Sequence, residues 1–324
     1  MLLFKAVVLL LLYACAVSSS ALSSCDLVRH VRETSNIHDL LSTVKPRCVL
    51  CDMDGTLLTD DHHPNLKSAQ SIIKVNKAGI PVIPATGRSR KSMNAATRNI
   101  FPSILQVDPE RVPGIYSQGL QVYGLDGSLI YERFLGHEAI VAAVTFCTAQ
   151  DLTVVAYAGD NCYCQRRSNY TDMFPLYNEP IPIVFDEGLD KLDAVTGVKI
   201  NKLMVMAEET EINRTRPELT KALDGLVSIT QAVPTMLELL PLGASKGDGV
   251  QKFLEYEGID PSKVMAFGDG ENDIEMLKLV GLGVSMGNAR TIVKNVADIV
   301  TLTNNEGGVG HVLDILLSGM EDNQ

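Results

Sequence analysis

The chain has 324 residues, 46% of them hydrophobic and 21% charged, enough for two domains at about 150 residues each, which excludes wholesale disorder. Asp and Glu (39) outnumber Lys and Arg (28), giving a formal charge of −11. That sign argues against nucleic acid or an anionic membrane as partner, and with no Trp in the chain a base-stacking platform is not expected either.

Residues 1–21 read as a signal-like targeting segment: one Lys, an apolar run to Leu12, and small-residue cleavage sites after Ala16 or Ala21. The run falls short of the roughly 20 residues a membrane span needs, so no stable membrane insertion is expected after processing. The Ser-rich continuation with Arg29 and Arg32 resembles the second part of a plastid address, which favours a plastid or other organelle over secretion. A chain that does not use the segment stays cytosolic.

From Arg47 the pattern is α/β. A short apolar strand over 48–51 runs into Asp52-Met53-Asp54-Gly55-Thr56. Apolar residues at helical spacing predict a helix over 65–77, closed by Gly79. The strand over 80–85 delivers Thr86-Gly87-Arg88, although its two prolines are awkward for a central strand. A helix to about 99, a proline-rich loop through Pro102, Pro109 and Pro113, a strand over 115–117 and a hairpin turning at Asp126-Gly127 follow. Residues 134–233 alternate strands and helices without a chemical motif, and read as an α+β module inserted into the first domain. From Met236 the α/β pattern returns: strands over 237–240, 264–268 and 282–285, helices over 246–256 and 272–279. The expected fold class is α/β, with a Rossmann-like parallel sheet core built from 47–133 and 234–318. The seven cysteines lack a disulfide or zinc framework. Cys162 and Cys164, one residue apart, share a strand face, so free or buried thiols are expected.

Four segments stand at strand ends or the helix starts that follow, where parallel sheets bind ligands. They contribute Asp52 and Asp54; Thr86, Gly87 and Arg88; Lys246; and Asp269, Asn272 and Asp273. Four carboxylates, a fixed cation and glycine-opened turns suit Mg²⁺ bound to carboxylates and a substrate phosphate. Neither Asp-rich segment has the glycine or the final glutamate of a calcium loop. No Walker or dinucleotide fingerprint is present. His62-His63, in a polar loop, read as solvated. Any one Asp-Gly pair could simply cap a helix or make a turn.

In this order and form the segments resemble the four motifs of the haloacid dehalogenase superfamily, specifically its Cof-type metabolite phosphatase branch. The likeness spans 47–317, including Asn304-Asn305-Glu306-Gly307-Gly308-Val309, and departs at Gln118, where that branch commonly has Asn before Gly. The resemblance implies that Asp52 attacks phosphorus and forms an aspartyl-phosphate. Asp54 would serve as acid and then base. Asp52 and Asp269, with the Asp54 backbone carbonyl, would hold Mg²⁺, and Asp273 would complete or brace that shell. Thr86, Gly87, Lys246 and Asn272 would bind the phosphate, and Arg88 would face substrate or solvent. The insert would be a cap that selects the leaving group, with Tyr157, Arg166 and Arg167 as candidate selectors. The expected activity is hydrolysis of a small phosphorylated metabolite, a sugar phosphate or a phosphorylated cofactor. A phosphomutase using the same intermediate and a non-catalytic binding module are the alternatives.

Overall fold

A computed structural model describes residues 37–231 and 233–321; the targeting segment expected at 1–21 lies outside them. Before the insert come strands β1 (Cys48–Cys51), β2 (Val82–Pro84), β3 (Gly114–Tyr116), β4 (Gln121–Tyr123) and β5 (Leu129–Glu132). The insert carries β6 (Thr153–Ala158), β7 (Asn161–Cys164), β8 (Ile183–Val184), β9 (Lys202–Met206), β10 (Val227–Thr230) and β11 (Met236–Pro241). After it come β12 (Val264–Gly268), β13 (Leu282–Ser285) and β14 (Ile299–Val300).

The first sheet is parallel throughout, in the order β14-β13-β12-β1-β2. Its strands are buried on both faces, which explains why they read as unbroken apolar runs. Along β1 the side chains alternate between two cores. Val49 and Cys51 join Met265, Phe267 and Val284 against the helices Leu66–Lys77 and Gly308–Glu321. Cys48 and Leu50 join Val264 and Ala266 against Lys246–Glu257 and Ile274–Leu279 on the other side. The chain leaves β1 toward β2 in one direction and returns to β12 on the other flank. The β1–β12 boundary is therefore the point where ligands bind in such sheets, outside the carboxyl ends of the strands.

Local chemistry sets the ends of these elements. Asn65 caps Leu66–Lys77, its side chain accepting from the N–H groups of Lys67 and Ser68, and Gly79 takes a φ of +89° just beyond it. The prolines around β2 are accommodated because β2 lies at the edge of the sheet. Residues 100–105, expected as loop, form a short helix with Pro102 in its first turn, where proline costs no intrahelical hydrogen bond. The Asp126-Gly127 turn joins β4 to β5, and with β3 they form a small antiparallel sheet.

The second large sheet has the order β10-β11-β9-β6-β7-β8. The strand expected over 237–240 in the parallel core exists as β11, but it pairs antiparallel with β9 and β10. The inserted sheet therefore extends to Pro241 rather than ending at 233; a short apolar run does not announce which sheet it joins. β8 and β10 were illegible because they are short: β8 has two residues, and the Val-Ser-Ile-Thr alternation of β10 lasts only four. Among the described residues all five cysteines are buried free thiols, and no helix is long and apolar enough to cross a membrane.

Candidate active site

The parallel register brings the ends of β1, β2 and β12 to one edge of the sheet. Asp52 follows β1 directly, its N–H donating to the Phe267 carbonyl at 3.1 Å, and is 5% exposed. Lys246, at the start of the helix Lys246–Glu257, donates through Nζ to Asp52 Oδ1 and Asp273 Oδ1, both at 2.6 Å. The other Asp273 oxygen accepts from the N–H groups of Asp269 (3.0 Å) and Gly270 (2.9 Å). Thr56 Oγ1 donates to Asp269 Oδ1 at 2.8 Å. Gly55, at φ +77°, permits this approach, since a Cβ there would lie 2.3 Å from Asp269 Oδ2.

Oxygens of Asp52, Asp269 and Asp273 lie within 4.8 Å of one another. Burial pushes the Asp52 carboxyl well up, the Asp273 charge adds to this, and Lys246 opposes it. Burial and then Asp273 push Asp269 up to about 7. One ammonium faces three carboxyl groups, and among the described residues no second cation is bonded to them. Three hard, converging oxygens so placed fit a small divalent cation such as Mg²⁺.

Asp54 is placed differently from its expected partners. Its carboxylate is gripped by Arg88, Nε and one terminal nitrogen donating at 2.7 Å each. Loss of solvation raises the Asp54 pKa, but the Arg88 charge and its two hydrogen bonds outweigh that and hold the carboxyl below its usual range. Arg88 is 6% exposed, so of the two positions considered for it the solvent-facing one gives way to a buried ion pair, and its side chain lines the cavity between this edge and the inserted sheet. Its remaining nitrogen donates to Ser92 Oγ and to the Tyr177 carbonyl, and lies 3.6 Å from Glu179, both of the latter on the insert. Thr86 is buried beside it, its Oγ1 accepting from the Arg88 N–H at 3.1 Å.

Between this edge and the inserted sheet lies a cavity of about 460 Å³. Asp52, Asp54, Gly87, Asp269 and Asn272 line the first side. Tyr157, Phe174, Met204, Met206 and Met236 give the insert's side a largely apolar wall, with Glu179, Lys202 and Glu238 among them. Tyr157 thus faces the cavity as a candidate selector should. Arg166 and Arg167 do not: they are exposed, in surface ion pairs with Asp151 and Asp172. His62 is also corrected. It is half-buried on the cavity wall, its ring edge-on to Tyr177 at 5.0 Å, while His63 is exposed.

Sequence reasoning missed a buried polar chain across the cavity's rim. Lys202 Nζ donates to Glu238 and to the Gly87 carbonyl (2.8 Å), Gln118 Nε2 donates to the other Glu238 oxygen, and Asn272 Nδ2 donates to Gln118 Oε1 at 3.0 Å. A signal was present: Glu238 in Leu237-Glu238-Leu239-Leu240 and Lys202 ahead of Leu203-Met204-Val205-Met206 are lone charges in apolar strands, which require partners when buried.

A family model described as haloacid dehalogenase-like hydrolase matches residues 49–313. The chain is 31% identical over 283 residues, 85% of its length, to a chloroplastic protein of Arabidopsis thaliana named as the endoribonuclease YBEY; it spans about half (47%) of that relative. It is 29% identical to the phosphatase YwpJ of Bacillus subtilis, over 84% of this chain and all (100%) of the relative. Its structure superposes on that of BT1666 from Bacteroides thetaiotaomicron, described among phosphatases of the same superfamily. There the TM-score is 0.66 and the identity 26%, over 92% of this chain and 99% of the other.

Proposed function

The chain belongs to the haloacid dehalogenase-like hydrolases, and from that membership we propose that it is a Mg²⁺-dependent phosphatase of small phosphorylated metabolites, acting through an aspartyl-phosphate. One observation carries the reading: Asp52, bonded to Lys246, stands with Asp269 and Asp273 at the topological switch point, on the wall of a cavity of metabolite size. Asp52, Asp269 and Asp273 would hold Mg²⁺, whose charge there relieves the repulsion between carboxylate and phosphate dianion.

An Asp52 oxygen forms a bond to phosphorus as the bond to the leaving oxygen breaks. Asp54 gives that oxygen a proton. It then takes one from water, which attacks phosphorus and frees Asp52 and inorganic phosphate. In the arrangement seen, Arg88 keeps Asp54 ionised, the form the second step uses, so the first step requires the Arg88 fork to loosen. Lys246, Thr86 and Asn272 stabilise charge on the phosphoryl oxygens. Residues 47–133 and 242–318 act as the catalytic core and 134–241 as its cap, whose apolar wall selects the leaving group among sugar phosphates and phosphorylated cofactors. A plastid location is in keeping with the chloroplastic Arabidopsis relative and the signal-like first residues.

The test is phosphate release by the purified chain across a panel of phosphorylated metabolites, with Mg²⁺ and with EDTA. Mg²⁺-dependent release of at least one, without an added acceptor, is expected. Release that EDTA leaves untouched, or none at all, overturns the reading. Transfer that needs a second sugar phosphate would instead identify a mutase.

A further inference from the structure

The inserted sheet reaches the phosphoryl edge at one fully buried point. Lys202 on β9 and Glu238 on β11 are 1% and 4% exposed, and their polar atoms are all engaged. Lys202 bonds Glu238 and the Gly87 carbonyl, and its ammonium lies 4.7 Å from the centre of the Tyr157 ring. The second Glu238 oxygen takes the Gln118 amide.

Chemistry fixes the direction of this chain. A carboxylate beside an ammonium only accepts, so Gln118 must turn its NH₂ toward Glu238. Its carbonyl oxygen is then the group left for Asn272, which must present its own NH₂ and not its oxygen. The backbone is shaped to the same end. Ser117 and Gln118 sit at φ +51° and +62°, the left-handed region that residues other than glycine rarely adopt. Gln118 N–H donates to the Thr86 carbonyl at 3.1 Å. A Cβ at Gly87 would fall 2.6 Å from Gln118 Nε2, so glycine there makes room for the amide. Such strain persists only where the surroundings over-determine it, commonly at functional sites.

We propose that Glu238 is a positioning residue: through Gln118 it sets which way the Asn272 amide faces, so the phosphoryl-binding edge is complete only while the inserted sheet is docked. The role of Asn272 rests on the phosphatase reading; the coupling rests on the hydrogen bonds alone. Glu238→Gln offers one acceptor oxygen where Lys202 and Gln118 each demand one, so the amide relay loses its direction while side-chain shape is kept.

Four full-length proteins test this: wild type, Glu238→Gln, Asn272→Ala and the double variant. Each is studied with Mg²⁺ in p-nitrophenyl phosphate kinetics and in calorimetric titration with inorganic phosphate. Glu238→Gln should lower kcat by about tenfold or more with KM within about threefold, and weaken phosphate binding, whereas in the Asn272→Ala background it should cost under about twofold in both readouts. Losses that multiply in the double variant, or phosphate affinity untouched by Glu238→Gln, overturn the proposal. If Glu238→Gln fails to fold around an unpaired Lys202, Glu238→Gln/Lys202→Met removes both charges and carries the same cycle. If the wild type hydrolyses no ester, the phosphatase reading falls, and the phosphate titrations alone decide the coupling.

Discussion

The two sheets that face each other across the cavity handle buried charge in opposite ways. At the parallel edge, Asp52, Asp269 and Asp273 converge on one another with a single ammonium, Lys246, between two of them. On the inserted sheet, Glu238 meets Lys202 one to one, and core groups take the remaining hydrogen bonds. The first arrangement sets one ammonium against three carboxyl groups, a crowding of like charge in a low-dielectric site that the proposed cation would relieve. The second is already complete, and only in the docked position. On the proposed readings one would take a ligand and the other fix a geometry, though both would read as a buried ion pair from charge alone.

The largest effects should come from the carboxyl cluster. Asp52→Asn should keep the fold and reduce kcat below about a thousandth, ~4 kcal/mol of barrier, since an amide is a poor nucleophile. Retention of a tenth of the rate would refute covalent catalysis by this residue. Asp269→Asn sharpens the comparison because stability and activity should move in opposite directions. Activity should fall with the lost metal ligand, while the metal-free protein should gain ~2–5 °C in Tm as the carboxylate surplus shrinks. The pH dependence follows from the same residue. Asp269 is held up to about 7 in the folded state against about 3.9 unfolded, so the unfolded chain loses its proton first. This group's contribution to the stability of the metal-free protein is therefore intact below about pH 4 and is lost as pH rises through about 7. Thermal melts in EDTA from pH 4 to 8 should show the decline, and Mg²⁺ should flatten it. A pH-independent Tm without metal would mean that the cluster carries no surplus.

The intermediate effect belongs to the bridge between the two regions. Arg88 forks onto Asp54 and also reaches the Tyr177 carbonyl on the insert. Lysine in its place keeps the charge but cannot make two parallel hydrogen bonds to one carboxylate. Arg88→Lys should lower kcat by ~10–100-fold with a small change in Tm, as expected for misplacement of an acid-base group. Unchanged kcat would show that the fork is not needed to orient Asp54.

The motifs of the parallel edge were legible because Asp52 and Asp269 each follow a short apolar strand directly, and parallel strands deliver their ends to one place. Asp273, four residues on, and Lys246, which follows β11 of the inserted sheet, were legible instead as residues at helix starts. What was illegible depends on partners distant in the chain. Arg88 could not be read as the partner of Asp54, because nothing local distinguishes a buried arginine from an exposed one. Lys202 and Glu238 are 36 positions apart, Gln118 and Glu238 are 120 apart, and only the β9–β11 pairing and the docking of the two sheets bring them together. The misplacement of β11 has the same origin: its residues specify a strand, and its neighbours decide the sheet.

The smallest expected effects concern which substrate is chosen rather than how fast it reacts. Phosphoryl groups are alike across substrates, so the parallel edge cannot rank leaving groups. On the proposed phosphatase reading that ranking would fall to the wall formed by Met204, Met206, Met236, Tyr157 and Phe174. Flexible thioethers adapt to varied shapes and discriminate weakly, by about a methylene's worth of binding, ~1–3 kcal/mol. Met236→Gln places an amide in that wall, on a strand whose backbone pairing it leaves alone. It should change the ratio of kcat/KM between an aromatic and a polyol phosphate by about tenfold, in favour of the polyol. Arg166→Ala and Arg167→Ala remove exposed ion pairs remote from the cavity and should leave that ratio where it was. Their stability cost should not exceed about 1 kcal/mol each. If the arginine variants reorder the substrates and Met236→Gln does not, selection lies on the outer face of the insert, and the division between a reactive edge and a selecting wall is wrong.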